Sequence, residues 1–285
     1  MFPRFFSTEA IYAKMQLLFM LRLVNVKYKE WFNRFQLKLR SGQPLLGTWI
    51  TISHPEVTEI LSSLPFDWLL VDMEHAPIDI SQITQLLMSM KESNVVPLVR
   101  VPWNDFVVIK RVLDLGVGGV MVPWVNSKDD AVRAVEATKY PPRGVRGVGP
   151  RRCVKYGLES VVEYVEEWNE HSIVLVQVET KRALENIEEI VSVDGVTGIF
   201  VGPADLSASL GMLGKTNTPE FEKVLSSIVE RVKPYGKILG IMAESPEFAV
   251  KAFKLGYNFI SLSHDVKFLI EGARAFLSVF HRNTL

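Results

Sequence analysis

The sequence predicts a single-domain (β/α)8 barrel, and three observations carry that prediction. From about residue 45 onward, short apolar runs alternate without a break with runs of helical period, eight of each. The short runs are apolar almost throughout, which is the pattern of parallel strands buried on both faces rather than half-exposed antiparallel ones. The chain is 285 residues long, enough for one barrel of about 250 residues with an extension.

The strands are expected at 45–52 (LLGTWITI), 67–74 (DWLLVDME), 95–102 (VVPLVRVP), 119–125 (GVMVPWV), 172–179 (SIVLVQVE), 197–205 (TGIFVGPAD), 238–244 (ILGIMAE) and 258–264 (NFISLSH). The helix-period runs after them are PEVTEILSSL, SQITQLLMSMKES, FVVIKRVLDLG, SKDDAVRAVEATKY, KRALENIEEIVSV, EFEKVLSSIVERVKPYG, SPEFAVKAFKLG and VKFLIEGARAFLSVF. Several open on Ser, Asp or Pro and stop at a glycine, as at Gly116, Gly236 and Gly256, in keeping with helix caps. An extra helix is expected over 158–171, and 141–157 (PPRGVRGVGPRRCVKYG) is the one conspicuous irregular connection. A doubly wound open sheet is the competing arrangement, but the first strand runs into ITISHPEV without GxGxxG, which argues against a dinucleotide fold.

Lys+Arg and Asp+Glu each total 32, for a formal net charge of zero, so nothing global points to nucleic acid. Cys153 is the single cysteine; it makes no intramolecular disulfide or Cys-based zinc site, and a reducing cytoplasm is the default compartment. Residues 1–35 read as an extension ahead of a barrel at 36–285. The first part of that extension carries Arg4, Lys14, Arg22, Lys27 and Lys29 against Glu9 alone. Its apolar run is interrupted by charge and does not span a bilayer. It reads as a helical extension, a targeting segment, or sequence upstream of a later start at Met15 or Met20.

Functional groups of such barrels gather at the C-terminal ends of the strands. Those ends present Asp72, Glu74 and His75, then Arg100, then Gln177 and Glu179, then Asp205. Carboxylates at the ends of apolar strands need compensation. Glu179 and Asp205, on adjacent strands, have the chemistry to share one hard cation and leave positions open for substrate oxygens; capping or pairing with a basic side chain is the alternative. His75 is by location the best candidate for a general base, a satisfied loop histidine being the alternative. Arg100, alone in an apolar strand, must meet an anion, either a protein carboxylate such as Glu74 or an acidic substrate. No strand segment holds a lysine, which argues against Schiff-base aldol chemistry. The basic 141–157 connection reads either as a mobile lid over an anionic substrate or as a solvated loop or subunit contact.

In this order the segments VDMEHAPID, PLVRVP, YPPRGVRGVG, QVET and FVGPADLSASLG resemble the HpcH/HpaI aldolase family, over about residues 36–279. The resemblance implies a metal-dependent class II pyruvate aldolase, a carbon–carbon lyase. Its substrate would be a 4-hydroxy-2-oxo acid such as 2-dehydro-3-deoxyglucarate or 4-hydroxy-2-oxoheptanedioate, cleaved to pyruvate and an aldehyde. By the same resemblance Glu179 and Asp205 bind the metal (Mg or Mn, with Co a third choice) and His75 is the base. Asp72 and Asp114 support that histidine. Arg100 and Gln177 contact the pyruvate, and the backbone of Gly202 and Ala204 lines its carboxylate. A homo-oligomer, hexameric in the family, with the last helix exchanged between subunits, is implied too, with no nucleic-acid or membrane partner. PRRCVKYG departs from the family pattern after RGVG, which touches the specificity for the aldehyde. Two rival readings are a thioester lyase of the malyl-CoA or citryl-CoA type and a non-catalytic barrel that binds a keto acid.

Overall fold

A computed structural model describes residues 27–284; the targeting and start-site readings of the first segment lie outside them. Eight parallel strands close on themselves in sequence order. They are β1 Leu45–Ile50, β2 Trp68–Asp72, β3 Val96–Arg100, β4 Gly119–Val122, β5 Ile173–Val178, β6 Gly198–Val201, β7 Ile238–Ala243 and β8 Phe259–His264. The helices are α1 Lys27–Arg40, α2 Pro55–Ser62, α3 Ile80–Ser89, α4 Phe106–Leu113, α5 Lys128–Thr138, α6 Val161–His171, α7 Lys181–Glu185, α8 Ile187–Val191, α9 Pro203–Ser209, α10 Pro219–Val232, α11 Pro246–Leu255 and α12 Asp265–Thr284. None among the described residues is long and apolar enough to cross a membrane.

Local chemistry sets the boundaries. Ser127, Ser160 and Ser245 each accept a backbone N–H from the first turn of α5, α6 and α11, satisfying a donor that has no partner within the helix. Gly256 ends α11 at φ 118°, a left-handed value that only glycine takes without strain. Most strands end earlier than the sequence pattern suggests, and at three of them this moves or redirects residues at the catalytic end. β2 stops at Asp72, so Glu74 and His75 sit in the loop beyond it. Pro123 follows the end of β4, and β6 gives way at Gly202 to α9, which has Pro203 in its first turn; proline has no N–H for the ladder and is preset for helix entry. The single helix expected over KRALENIEEIVSV is two, α7 and α8, divided at Asn186.

The barrel interior is layered. At its N-terminal end Trp68 and Phe259 stack with centroids 4.2 Å apart, and Phe35 of α1 meets Phe259 at 6.1 Å. Gly47 sits beside Trp68, where a Cβ would come within 2.0 Å of the indole, so the large ring requires the missing side chain opposite it. Above this layer Trp49 contacts Phe200 at 5.9 Å. Above that the interior turns polar. α1 therefore crosses the expected boundary at residue 35, with Tyr28, Trp31 and Phe35 all buried in the core. The 141–157 connection leaves the foot of α5 and returns toward the start of β5, at the pole opposite the strand C-termini. Arg146 is fully buried there, and Arg152 donates to the carbonyl of Leu115 beyond the end of α4. Within one chain it is an anchored structural connection rather than a lid over the strand ends.

If α1 is part of the cooperative unit, Phe35→Ala lowers the unfolding free energy by about 3–5 kcal/mol, while Leu37→Ala, on the exposed face, changes it by less than about 0.5 kcal/mol. Urea denaturation of the two variants measures both.

Candidate active site

Register brings the first charged pair together. Asp72 and Arg100 are direct neighbours at the ends of β2 and β3. Arg100 donates from Nε to Asp72 Oδ1 and from Nη2 to Asp72 Oδ2, each at 2.8 Å. Its Nη1 lies 2.9 Å from Glu74 Oε2, and the guanidinium stacks on Trp49 at 4.1 Å. Asp72 Oδ1 also accepts the backbone N–H groups of Glu74 and His75, so one carboxylate both holds the arginine and shapes the loop that carries the histidine. Both options weighed for Arg100 in the sequence concern an anion, and the structure supplies two from the protein itself.

Glu179 follows β5 and is only 2 % exposed. Its Oε1 accepts the Trp124 N–H at 2.7 Å and its Oε2 accepts Gln177 Nε2 at 2.9 Å. The other end of that amide, Gln177 Oε1, is buried without a hydrogen-bond partner. Burial pushes the Glu179 carboxyl up to about 7; the Trp124 N–H opposes this, and the charges of Glu74 and Asp205 reinforce it. Burial likewise raises Glu74, against the pull of Arg100. Asp205 is exposed in the first turn of α9 rather than on β6. Gly202 approaches closely: a Cβ there would lie 3.4 Å from Glu179 Oε2. Ala204 is exposed on the same turn.

His75 is on the rim, its side chain 67 % exposed, with Nε2 4.0 Å from Glu74 Oε1. Asp114 is not brought to it. Asp114 caps the C-terminus of α4, at the far end of the barrel, and accepts from Arg146 Nη2 at 2.6 Å. The role that the resemblance gave it beside His75 therefore has no counterpart within this chain: a helix that runs back from the catalytic end delivers its last residue to the other pole. Glu74, offered from the sequence as an anion for Arg100, does touch it and lies near His75 as well. Sequence reasoning passed over Trp49, because a tryptophan in an apolar strand looks like core until its neighbour is known to be a guanidinium.

The donor set fits a hard divalent cation. Asp72, Glu74, Glu179 and Asp205 bring four carboxylates to the strand ends, and Arg100 offsets only part of that charge. Among the described residues no cluster of three or more potential ligands converges; Asp205 and Glu74 lie near enough to Glu179 for their charges to raise its carboxyl.

A closed parallel barrel whose carboxylates, arginine and histidine gather at the C-terminal strand ends has the arrangement of a barrel enzyme. The family described as HpcH/HpaI aldolase/citrate lyase matches residues 45–272. The 5-keto-4-deoxy-D-glucarate aldolase of Citrobacter koseri is 40 % identical over 235 residues, 82 % of this chain and 91 % of that protein. A solved HpcH/HpaI aldolase/citrate lyase family protein from Burkholderia cenocepacia superposes with TM-score 0.82 at 34 % identity, over 88 % of this chain and 99 % of the other. The HpcH/HpaI aldolase of Desulfitobacterium hafniense follows with TM-score 0.80 at 29 % identity, over 86 % and 95 %. This chain belongs to the HpcH/HpaI aldolase/citrate lyase family, and it is a carbon–carbon lyase of the aldolase type.

A carboxyl raised from 4.5 to about 7 contributes stability that is present below its unfolded value and is lost as pH rises through its folded value. Metal-free protein therefore carries a buried charge at pH 8. Glu179→Gln removes it, and the Gln177 amide can turn to present its free oxygen to the new NH2. The substitution is expected to raise the metal-free unfolding free energy by about 2 kcal/mol at pH 8, with the gain shrinking toward zero at pH 5. Urea titrations at the two pH values measure it, and an equal effect at both would contradict the assignment.

Proposed function

We propose that this protein is a class II pyruvate aldolase that cleaves a 4-hydroxy-2-oxo acid to pyruvate and an aldehyde. The substrate is of the kind acted on by its 5-keto-4-deoxy-D-glucarate aldolase relatives. The observation that carries this reading is the pair Glu179 and Asp205, whose negative charges act on one another, with Arg100 near enough to Glu179 to act on it too. A divalent ion held by that pair, Mg or Mn being the best fits to oxygen ligands, supplies Lewis-acid stabilisation of negative charge on the substrate's keto oxygen.

The chain's own groups do the rest. The 2-oxo acid lies with its carboxylate toward the turn at Gly202 and Ala204, where the first-turn N–H groups of α9 have no acceptor within the helix. Gln177, with its free Oε1, borders the same space and orients Glu179. His75 takes the proton from the 4-hydroxyl, the C3–C4 bond breaks, and its electron pair passes toward the keto carbon and oxygen. Arg100, held rigid by Asp72 and Glu74, puts its positive charge beside the developing enolate without having to reorganise. A proton returned to C3 completes pyruvate.

The long helix α12 leaves Leu269, Phe276, Leu277 and Phe280 exposed. That much apolar surface on one helix supports a homo-oligomer in which α12 is covered by another subunit. The buried thiol of Cys153 suits a reducing, cytoplasmic setting.

Pyruvate release from 2-dehydro-3-deoxyglucarate is expected with added Mg²⁺ or Mn²⁺ and not in chelator. Glu179→Ala and Asp205→Ala abolish it, and His75→Ala lowers kcat by roughly 10²–10⁴ with thermal melting unchanged. Turnover by Glu179→Ala in chelator would overturn the reading.

A further inference from the structure

Two indoles stand on the catalytic rim, and neither core packing nor the groups above account for them. Of the six tryptophans in the chain, four are buried, whereas Trp103 and Trp124 are 56 % and 43 % exposed. Trp103 lies three residues beyond Arg100. Trp124 follows β4 and donates its N–H to Glu179. Their rings approach to 6.4 Å between centroids at 34°, so the two loops present one continuous aromatic surface beside the catalytic groups.

That surface is rigidly held. Trp124 sits at φ 55°, a left-handed conformation that bulky residues avoid. Its N–H is fixed by Glu179 at 2.7 Å and its carbonyl by Asn126 Nδ2 at 3.0 Å. Asn126 is tied in turn to Thr180, next to Glu179. Asn104, beside Trp103, donates to the carbonyl of Asp130 at 2.9 Å, which pins the other loop to α5. The left-handed backbone at Trp124 and the hydrogen bonds that pin both loops hold the two exposed indoles as a preorganised contact surface.

We propose that Trp103 and Trp124 form the wall on which the aldehyde half of the substrate lies, and that this wall gives the enzyme added activity toward aldehydes with an apolar or aryl face. The proposal rests on the aldolase reading above. Polar groups of that half gain little from the two indole faces. An aryl or alkyl face instead gains stacking and burial against the indoles.

The test is aldol addition with pyruvate and Mn²⁺, comparing kcat/KM for benzaldehyde and for glyoxylate in the native enzyme, Trp103→Ala, Trp124→Ala and Trp103→Phe. The benzaldehyde-to-glyoxylate ratio is expected to fall about tenfold in each alanine variant and to stay within about threefold in Trp103→Phe. Trp103→Ala carries the comparison alone if Trp124→Ala does not fold. Exchange of the pyruvate methyl protons in D2O, followed by NMR, separates the two levels. A native enzyme with no exchange defeats the aldolase reading itself. Exchange together with an unchanged ratio in the alanine variants defeats only the wall. A loss of oligomeric mass in those variants with an unchanged ratio also defeats it, and assigns the indoles to a contact with a second copy.

Discussion

A guanidinium buried at the top of an apolar barrel is tolerable only when anions surround it, and Arg100 is matched by a bidentate aspartate on the next strand and a glutamate on the loop above. Much of the site follows from that match. Asp72 cannot move without stranding the arginine, and through its contacts to the N–H groups of Glu74 and His75 it fixes the start of the loop that carries the histidine. Trp49 is pressed beneath the guanidinium, so the floor of the site is an aromatic ring rather than a void.

The same commitment leaves Glu179 without a cation of its own. Two hydrogen-bond donors hold its oxygens, yet burial and its acidic neighbours still raise it to about 7. If Glu179 holds the proposed ion, those donors set its geometry in advance and leave the missing positive charge for the ion to provide. In the absence of that ion the arrangement is destabilising, a common exchange of stability for function.

The fold was legible because burial on both strand faces leaves a continuous apolar signature, repeated eight times, and because serine caps and glycine stops mark the helix ends. What escaped the sequence were interruptions by single residues. Pro203 turns the expected end of β6 into a helix, moving Asp205 from a strand onto an exposed turn. Asn186 breaks one helical period into two short helices. The extent of α1 was hidden because Trp31 and Phe35 fill the barrel's foot through tertiary contact, which no local pattern records. At the site, Arg100, Glu179 and His75 stood out as polar groups where apolar ones were due. Glu74 was already legible as an anion for Arg100, and its contact bears that out; Trp103 stood out only when its exposure was known.

Asp114 shows how far a motif carries a role. Its place in RVLDLG matched a family position, but α4 runs away from the catalytic end, and a residue at its last turn arrives at the opposite pole. There it meets Arg146, whose guanidinium is wholly buried among Tyr140, Trp168 and Tyr164, at 4.4, 5.1 and 5.9 Å from their ring centroids. Ring faces alone do not repay the desolvation of such a charge. Asp114 provides the formal counter-ion, and with it the 141–157 connection is fastened to the end of α4. Within one chain its contacts are therefore those of an anchor, and the histidine at the other end takes its orientation from Asp72 and Glu74.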